Sequence, residues 1–237
     1  MSPNNTGDWL ILLVLLSGVI ASITLKKLTT AAAITGGILG WVIYAGGGYT
    51  GLTLLAAFFI LGTAATSWGK RNKLTVHANA GHQSRRTTGQ VFANAGVAAL
   101  AGLGAILFPA DKTLLQLAMA GSLSSAMADT LSSELGMVYG RKYVNILTGK
   151  PDQRGNDGVI SLEGTLIGIA GSVVIALISN QHFLAIVIAG TIGNLADSLL
   201  GAFFERKGLI TNNTVNFLNT LIAAASAVLL AQIPVFG

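Results

Sequence analysis

Eight stretches of the chain are apolar nearly all round: about 9–25, 30–47, 51–68, 90–108, 113–137, 159–179, 183–204 and 213–233. Amphipathic 3.6-residue alternation is weak in them, so length decides, and roughly 20 apolar residues let a helix cross the hydrocarbon core. The segments between are short, and none has the composition of a soluble domain or a flexible linker. The pattern predicts an all-α, polytopic membrane helical bundle of about eight transmembrane helices, with seven as the alternative count. Residues 1–237 then form a single integral membrane domain.

Composition changes this picture only by excluding rivals. Of 237 residues, 52% are hydrophobic and 10% charged, where a soluble domain carries about 25% charged residues. With no cysteine, a disulfide scaffold and a zinc–thiolate or thiol enzyme are also excluded.

The placement of charge says more. Lys26 and Lys27 follow the first span, and Lys70, Arg71, Lys73, Arg85 and Arg86 the third. Arg141, Lys142, Lys150 and Arg154 follow the fifth, Arg206 and Lys207 the seventh, and only Lys112 lies in the other loops. Thirteen of the 14 basic residues therefore share one side if there are eight spans, which makes that side cytoplasmic and puts both termini outside. A bacterial or archaeal cytoplasmic membrane is the expected location. The net charge of +5 reads as topology, with no nucleic-acid partner implied. Residues 1–8 lack a basic side chain and the double lysine sits behind the first apolar run, so that run reads as an anchor, not a cleaved signal.

Spans one to three, residues 1–68, carry almost no polar side chains beyond Ser and Thr and read as scaffold helices. There Gly36-x-x-x-Gly40 allows close helix approach, as simple packing or as a homodimer face. The last five spans are polar in their cytoplasmic halves. Gln90 and Asn94 stand one turn apart. Ser122, Ser125, Asp129 and Ser132 share one helix face, with Glu134 beyond them. Asn194, Asp197, Gly201 and Glu205 form a second stripe, and Asn212, Asn213, Asn216 and Asn219 open the last span.

Asp129 and Asp197 should lie roughly 10 Å inside the cytoplasmic helix ends. A buried carboxylate there costs at least ~2.5–3.5 kcal/mol unless water, a cation or a partner relieves it. A divalent cation on oxygen ligands would do so, and Asn and Ser neighbours suit Mg²⁺ better than zinc. Protonation, hydrogen bonding across helices, or a proton- or cation-coupled transport site are the alternatives. The sequences Ala128-Asp129-Thr130-Leu131 and Ala196-Asp197-Ser198-Leu199 match, as do Phe92-x-Asn94 and Phe217-x-Asn219. A parallel internal repeat within the last five spans would bring the two aspartates to one cavity.

The loop at 140–158 is glycine-rich and basic, and with the helix start near Ser161 it offers phosphate ligands in Lys150 and Arg154. It is not a P-loop. His77 and His82, with no carboxylate nearby, have poor metal spacing. Arg86 lies one turn before Gln90 and can reach the same cytoplasmic cavity.

Six blocks in order resemble the phytyl-phosphate kinase family of plastids and its bacterial, archaeal and animal relatives, a family known as domain of unknown function 92 (transmembrane protein 19-like). They are Arg86-Thr-Thr-Gly-Gln90-Val-Phe-Ala-Asn94, Ala128-Asp129-Thr-Leu-Ser-Ser-Glu134-Leu-Gly136, Thr148-Gly149-Lys150, Gly158-Val-Ile-Ser161-Leu-Glu163-Gly164-Thr165, Ala196-Asp197-Ser198-Leu-Leu-Gly201-Ala and Asn212-Asn213-x-x-Asn216-Phe217. The family core spans 85–222. More distantly it is similar to the CTP-dependent dolichol and phytol kinases and CDP-diacylglycerol synthases, which share an Asp-led helix, a glycine and basic loop and a closing Ser161-Leu-Glu163-Gly164-Thr165-like element. Asn156-Asp157-Gly158 departs from the smaller, more glycine-rich run of those enzymes.

The resemblance implies a membrane kinase moving a phosphoryl group from a nucleoside triphosphate, CTP in the first place, to a prenyl or phytyl monophosphate. Asp129 and Asp197 would hold Mg²⁺ with Glu134. Lys150, Arg86 and Arg154 would neutralise the transferring group, and Gln90, Asn94, Asn213 and Asn216 would complete the nucleotide or substrate site. The partners are a membrane lipid substrate and a nucleotide. The alternative from another class is an ion- or lipid-translocating transporter, which should carry polar groups in both membrane halves.

Overall fold

The computed structural model of the protein describes residues 6–69, 73 and 85–236. Among these residues it is an all-α bundle of seven α-helices: α1 (Thr6–Thr24), α2 (Thr30–Ser67), α3 (Thr88–Leu107), α4 (Lys112–Tyr139), α5 (Leu162–Ser179), α6 (Phe183–Phe203) and α7 (Asn212–Ala231). The 38 residues of α2 are two arms, because Gly48 breaks the helix at φ 63° and ψ −155°, a conformation that glycine alone adopts cheaply. The arms fold back on each other: a Cβ on Gly51 would sit 2.9 Å from the Ile43 carbonyl oxygen, and one on Gly40 3.4 Å from Leu55 Cδ2. The two spans expected at 30–47 and 51–68 are these arms, so seven helices make eight crossing segments.

The helices that start at the basic end are closed by hydroxyls. Thr29, Thr87, Ser161 and Thr211 each accept a hydrogen bond from the N–H three residues on, at Ala32, Gln90, Gly164 and Thr214. Such caps satisfy N–H groups that the helix itself leaves orphaned.

α4 is the axis of the bundle, packed against α2, α3, α5, α6 and α7. Ser122 through Ala128 are all 0% exposed. Of the seven helices it alone is too polar to qualify as a span on apolar composition, and its neighbours screen that polarity from lipid. Small residues permit the packing. A Cβ on Gly136 would lie 3.0 Å from Gly164 Cα, and one on Gly168 3.0 Å from the Ala128 carbonyl oxygen. Gly37 and Gly40 of α2 meet Val19 and Leu15 of α1 in the same way, each at 2.9 Å, so the Gly36–Gly40 segment is used within the chain.

Contacts gather the basic segments at one end. Arg86 N–H donates to the Lys27 carbonyl at 2.9 Å, and Lys27 Nζ to Ser67 Oγ at 2.8 Å. Lys73 meets Glu134 at 2.6 Å and Arg206 meets Asp152 at 2.7 Å. Here the segment after α4 folds into a small antiparallel hairpin, β1 (Val144–Asn145) with β2 (Val159–Ile160), Val144 opposite Ile160. Phe92 of α3 and Phe217 of α7 stack with parallel planes and ring centres 6.0 Å apart. Lys70, Arg71, His77 and His82 lie outside the described residues.

Candidate functional site

At the basic end a polar cavity of about 300 Å³ opens among α4, α5, α6 and α7, roofed by residues 155–160. α4 brings Asp129 to it and α6 brings Asp197. Both carboxyl groups line this one cavity, and two carboxylates there need a proton or a cation to balance them. Asp129 stands ten residues before the end of α4 and Asp197 six before the end of α6, depths of about 15 and 9 Å.

Asp197 is held by a relay. Asn219, fully buried on α7, accepts from Ser125 Oγ at 2.9 Å and donates its Nδ2 to Asp197 Oδ2. The serine donor fixes which way the amide faces and thereby turns its N–H₂ toward the carboxylate. Beside it Ser132 Oγ donates to Asn194 Oδ1 at 3.0 Å.

The lining is acidic. Asp157 and Glu205 join the two aspartates, and among the described residues no Lys or Arg lines the cavity. Burial raises the Asp157 carboxyl above its ordinary pKa, with the Arg206 charge opposing. Outside the cavity, hydrogen bonds from Arg206 and the Gln153 N–H hold Asp152 well below the usual carboxylate range. That ion pair ties the hairpin to the end of α6. Gly158 secures the roof: its φ is 72° and a Cβ would run into Ala202 of α6. The first turn of α5 presents Ser161, Gly164 and Thr165 to the cavity, the positive end of a helix dipole suited to anions.

Of the residues singled out in the sequence, Asp129, Ser132, Ser161, Gly164, Thr165, Asn194, Asp197, Gly201, Glu205, Asn212 and Asn216 meet here. The other expected site residues stand elsewhere. Glu134, expected beside the metal, is ion-paired with the buried Lys73, whose Nζ also donates to the Ala65 carbonyl at 2.8 Å. Five residues of helix carry Glu134 about 140° round from Asp129. Lys150 is exposed at the hairpin turn, its carbonyl accepting from Asn145 N–H at 2.9 Å. Arg154 donates to the Met137 carbonyl at 3.0 Å, next to the cavity but not in its lining. Glu163 points outward to the Arg141 N–H at 3.3 Å. Asn213 is exposed and abuts Gly89. Arg86, Gln90 and Asn94 border a second, apolar groove. Gln90 Oε1 is engaged by the Thr87 N–H at 2.9 Å in a capping box.

Asn219 and Glu205, which the sequence placed on polar stripes without a site role, belong to the site together with Asp157 and Tyr143. The Phe-x-Asn match pointed at Asn219. Tyr143 had no signal, because the hairpin that seats it spans only two residue pairs.

Among the described residues no three His, Cys, Asp or Glu side chains converge on a metal position. Two facing carboxylates amid Asn and Ser oxygens fit Mg²⁺, which keeps waters and shares its sphere with substrate phosphates. They do not fit zinc.

Residues 12–224 match the model of the family described as integral membrane protein DUF92. An uncharacterized membrane protein of Methanocaldococcus jannaschii is 34% identical over 220 residues, 89% of this chain and 90% of that one. One of Synechocystis is 33% identical over 201 residues, 81% and 78% of the two chains. The chloroplastic protein VTE6 of Arabidopsis thaliana is 32% identical over 215 residues, 85% of this chain and 64% of VTE6. No solved structure matches the chain.

Proposed function

The chain belongs to the DUF92 family of integral membrane proteins, and from its acidic cavity we propose that it is a Mg²⁺-dependent kinase acting on a prenyl or phytyl monophosphate. The observation that carries this reading is the pair Asp129 and Asp197, deep in a cavity that no basic residue lines among the described residues, yet beside the positive end of α5. A nucleoside triphosphate brought with its cation satisfies both halves of that arrangement. The likeness to phytyl-phosphate kinases supports the acceptor and CTP as donor.

Mg²⁺ held by Asp129 and Asp197 would offset the charge of the donor phosphates. Asn219 keeps Asp197 turned toward that position, and the first turn of α5 receives phosphate oxygens. The acceptor's phosphate oxygen forms a bond to the terminal phosphorus of the donor as the bond to the bridging oxygen breaks, releasing a nucleoside diphosphate. An acceptor that is already anionic needs no strong base, so positioning and charge neutralisation do most of the work. The cavity faces the cytoplasm, with both termini outside. A transport path is disfavoured because the core beyond the site is apolar, built on Ile43, Leu117, Met119 and Leu123.

The test is transfer from γ-labelled CTP to a prenyl monophosphate in proteoliposomes. Asp129→Asn and Asp197→Asn should each abolish Mg²⁺-dependent labelling while the protein stays folded. Full activity in both would end the metal assignment.

A further inference from the structure

A second recess, of about 210 Å³, lies between α1, both arms of α2 and α3. Its walls are apolar, with Leu15 and Val19 on one side and Leu55, Phe58 and Phe59 on another. Arg86 stands at its basic end with Ser22 among the lining residues, and Gln90 and Asn94 follow Arg86 one and two turns inward along α3. Asn94 donates its Nδ2 to the Gln90 carbonyl at 2.9 Å, but its buried Oδ1 has no partner. Among the described residues Arg86 is the only charged one lining the groove. Its guanidinium lies 5.8 Å from the Phe58 ring centre and 3.5 Å from Thr66 Oγ1.

We infer that this groove holds the acceptor's prenyl chain, with Arg86 taking its phosphate at the mouth. The inference rests on the kinase reading for the identity of the lipid, and on the groove itself for its shape and charge. Mostly apolar walls with one or two polar groups at an end fix the direction in which an amphiphile enters. One cation at the mouth of an apolar recess matches one anionic head on one apolar chain. The two chambers meet at Gly62: a Cβ there would sit 3.4 Å from Arg86 Nη2 and 3.3 Å from Thr130 Cγ2, and Thr130 follows Asp129 of the polar cavity. A monophosphate on Arg86 therefore sits at the border of the nucleotide chamber.

Along α1 the groove runs from Val14 to Ser22, about 12 Å. It encloses only the head-proximal part of a long chain, and the remainder lies in lipid. Acceptor preference should then be sensitive to the branching of the first isoprene units and insensitive to total length beyond them.

Two glycines in the wall allow a clean test. A Cβ on Gly18 meets nothing within 4 Å, and one on Gly36 meets only Val91 Cγ1 at 3.8 Å. The first side-chain atom at either site is therefore accommodated, and leucine there improves helix propensity by somewhat under ~1 kcal/mol; a thermal melt of each variant checks that it stays folded. In proteoliposomes containing the full chain, Gly18→Leu and Gly36→Leu should raise KM for a prenyl monophosphate about tenfold or more, leaving KM for CTP unchanged. A photoreactive prenyl monophosphate should label α1, α2 or α3 in the wild type, with labelling reduced in both variants and in Arg86→Gln. Unchanged acceptor KM in both leucine variants would overturn the inference, as would labelling displaced equally well by a diacyl phospholipid. Labelling of the groove in a protein that transfers no phosphoryl group would uphold the groove while refuting the kinase reading.

Discussion

Replacing Asn219 by leucine removes the one side chain that joins Ser125 to Asp197 while keeping its approximate volume. Two losses follow, and their sizes differ. The hydrogen bond from Ser125 Oγ, 2.9 Å long and fully buried, is an interhelical bond within the membrane, worth about 0.6 kcal/mol on average and up to ~1.7. The bond to Asp197 orients a carboxylate proposed to hold Mg²⁺, and loss of such an outer partner costs about 10–100-fold in metal affinity or activity, or ~1.4–2.8 kcal/mol. The functional loss should therefore exceed the loss of fold stability. Mg²⁺ titration of labelled-phosphoryl transfer in proteoliposomes, beside a thermal melt of the same preparation, separates the two. Asn219→Leu should shift the Mg²⁺ midpoint or the rate by one to two decades. Ser125→Ala, which only releases the amide, should lower the melt slightly and move the midpoint less. A wild-type midpoint and rate in Asn219→Leu would refute the relay.

Lys73→Met strands Glu134 and should cost about 3–5 kcal/mol, the range for breaking a buried pair, read as a lower melting temperature; Lys73→Met with Glu134→Leu should recover much of it. Gly158→Ala combines a positive φ with a collision at Ala202 and should loosen the roof markedly, whereas Gly149→Ala, at φ 65° with open space around it, should cost only about 1–2 kcal/mol; limited proteolysis of the hairpin distinguishes them. Asp152 has its pKa depressed by Arg206, so its contribution is complete above its unfolded pKa near ~3.9 and fades as pH falls below that. Amide exchange in the hairpin should thus be faster in Asp152→Asn than in the wild type at pH 7, the difference closing only in strong acid.

The parts of the molecule that declare themselves in the sequence are those governed by local composition. Span lengths are set by the bilayer, and the glycine run Gly46 to Gly48 marks the reversal inside α2. The Ala-Asp-Thr-Leu and Ala-Asp-Ser-Leu match brought Asp129 and Asp197 together before any coordinates did. What stayed hidden depends on partners distant in the chain. Glu134 reads like a site carboxylate until Lys73, 61 positions away, is seen to neutralise it. Lys150 and Arg154 obey the topology rule, and that rule does not say which basic residues face inward. The groove was equally invisible, because residues such as Leu15 and Leu55 that line it are as apolar as those facing lipid.

The polarity of α4 bears on how the protein enters the membrane at all. A helix with too little apolar surface to partition alone is a poor substrate for one-at-a-time insertion. During synthesis α3 and α4 would enter together as a hairpin, and α4 would stay under-solvated until α5, α6 and α7 arrive to enclose it. Chains stopped just after Tyr139 should leave the Asp129 segment loosely retained, while chains carried through Ala231 should hold it firmly. The helix that carries Asp129 is thus secured only late, and the assembled cavity and the completed bundle are the same event.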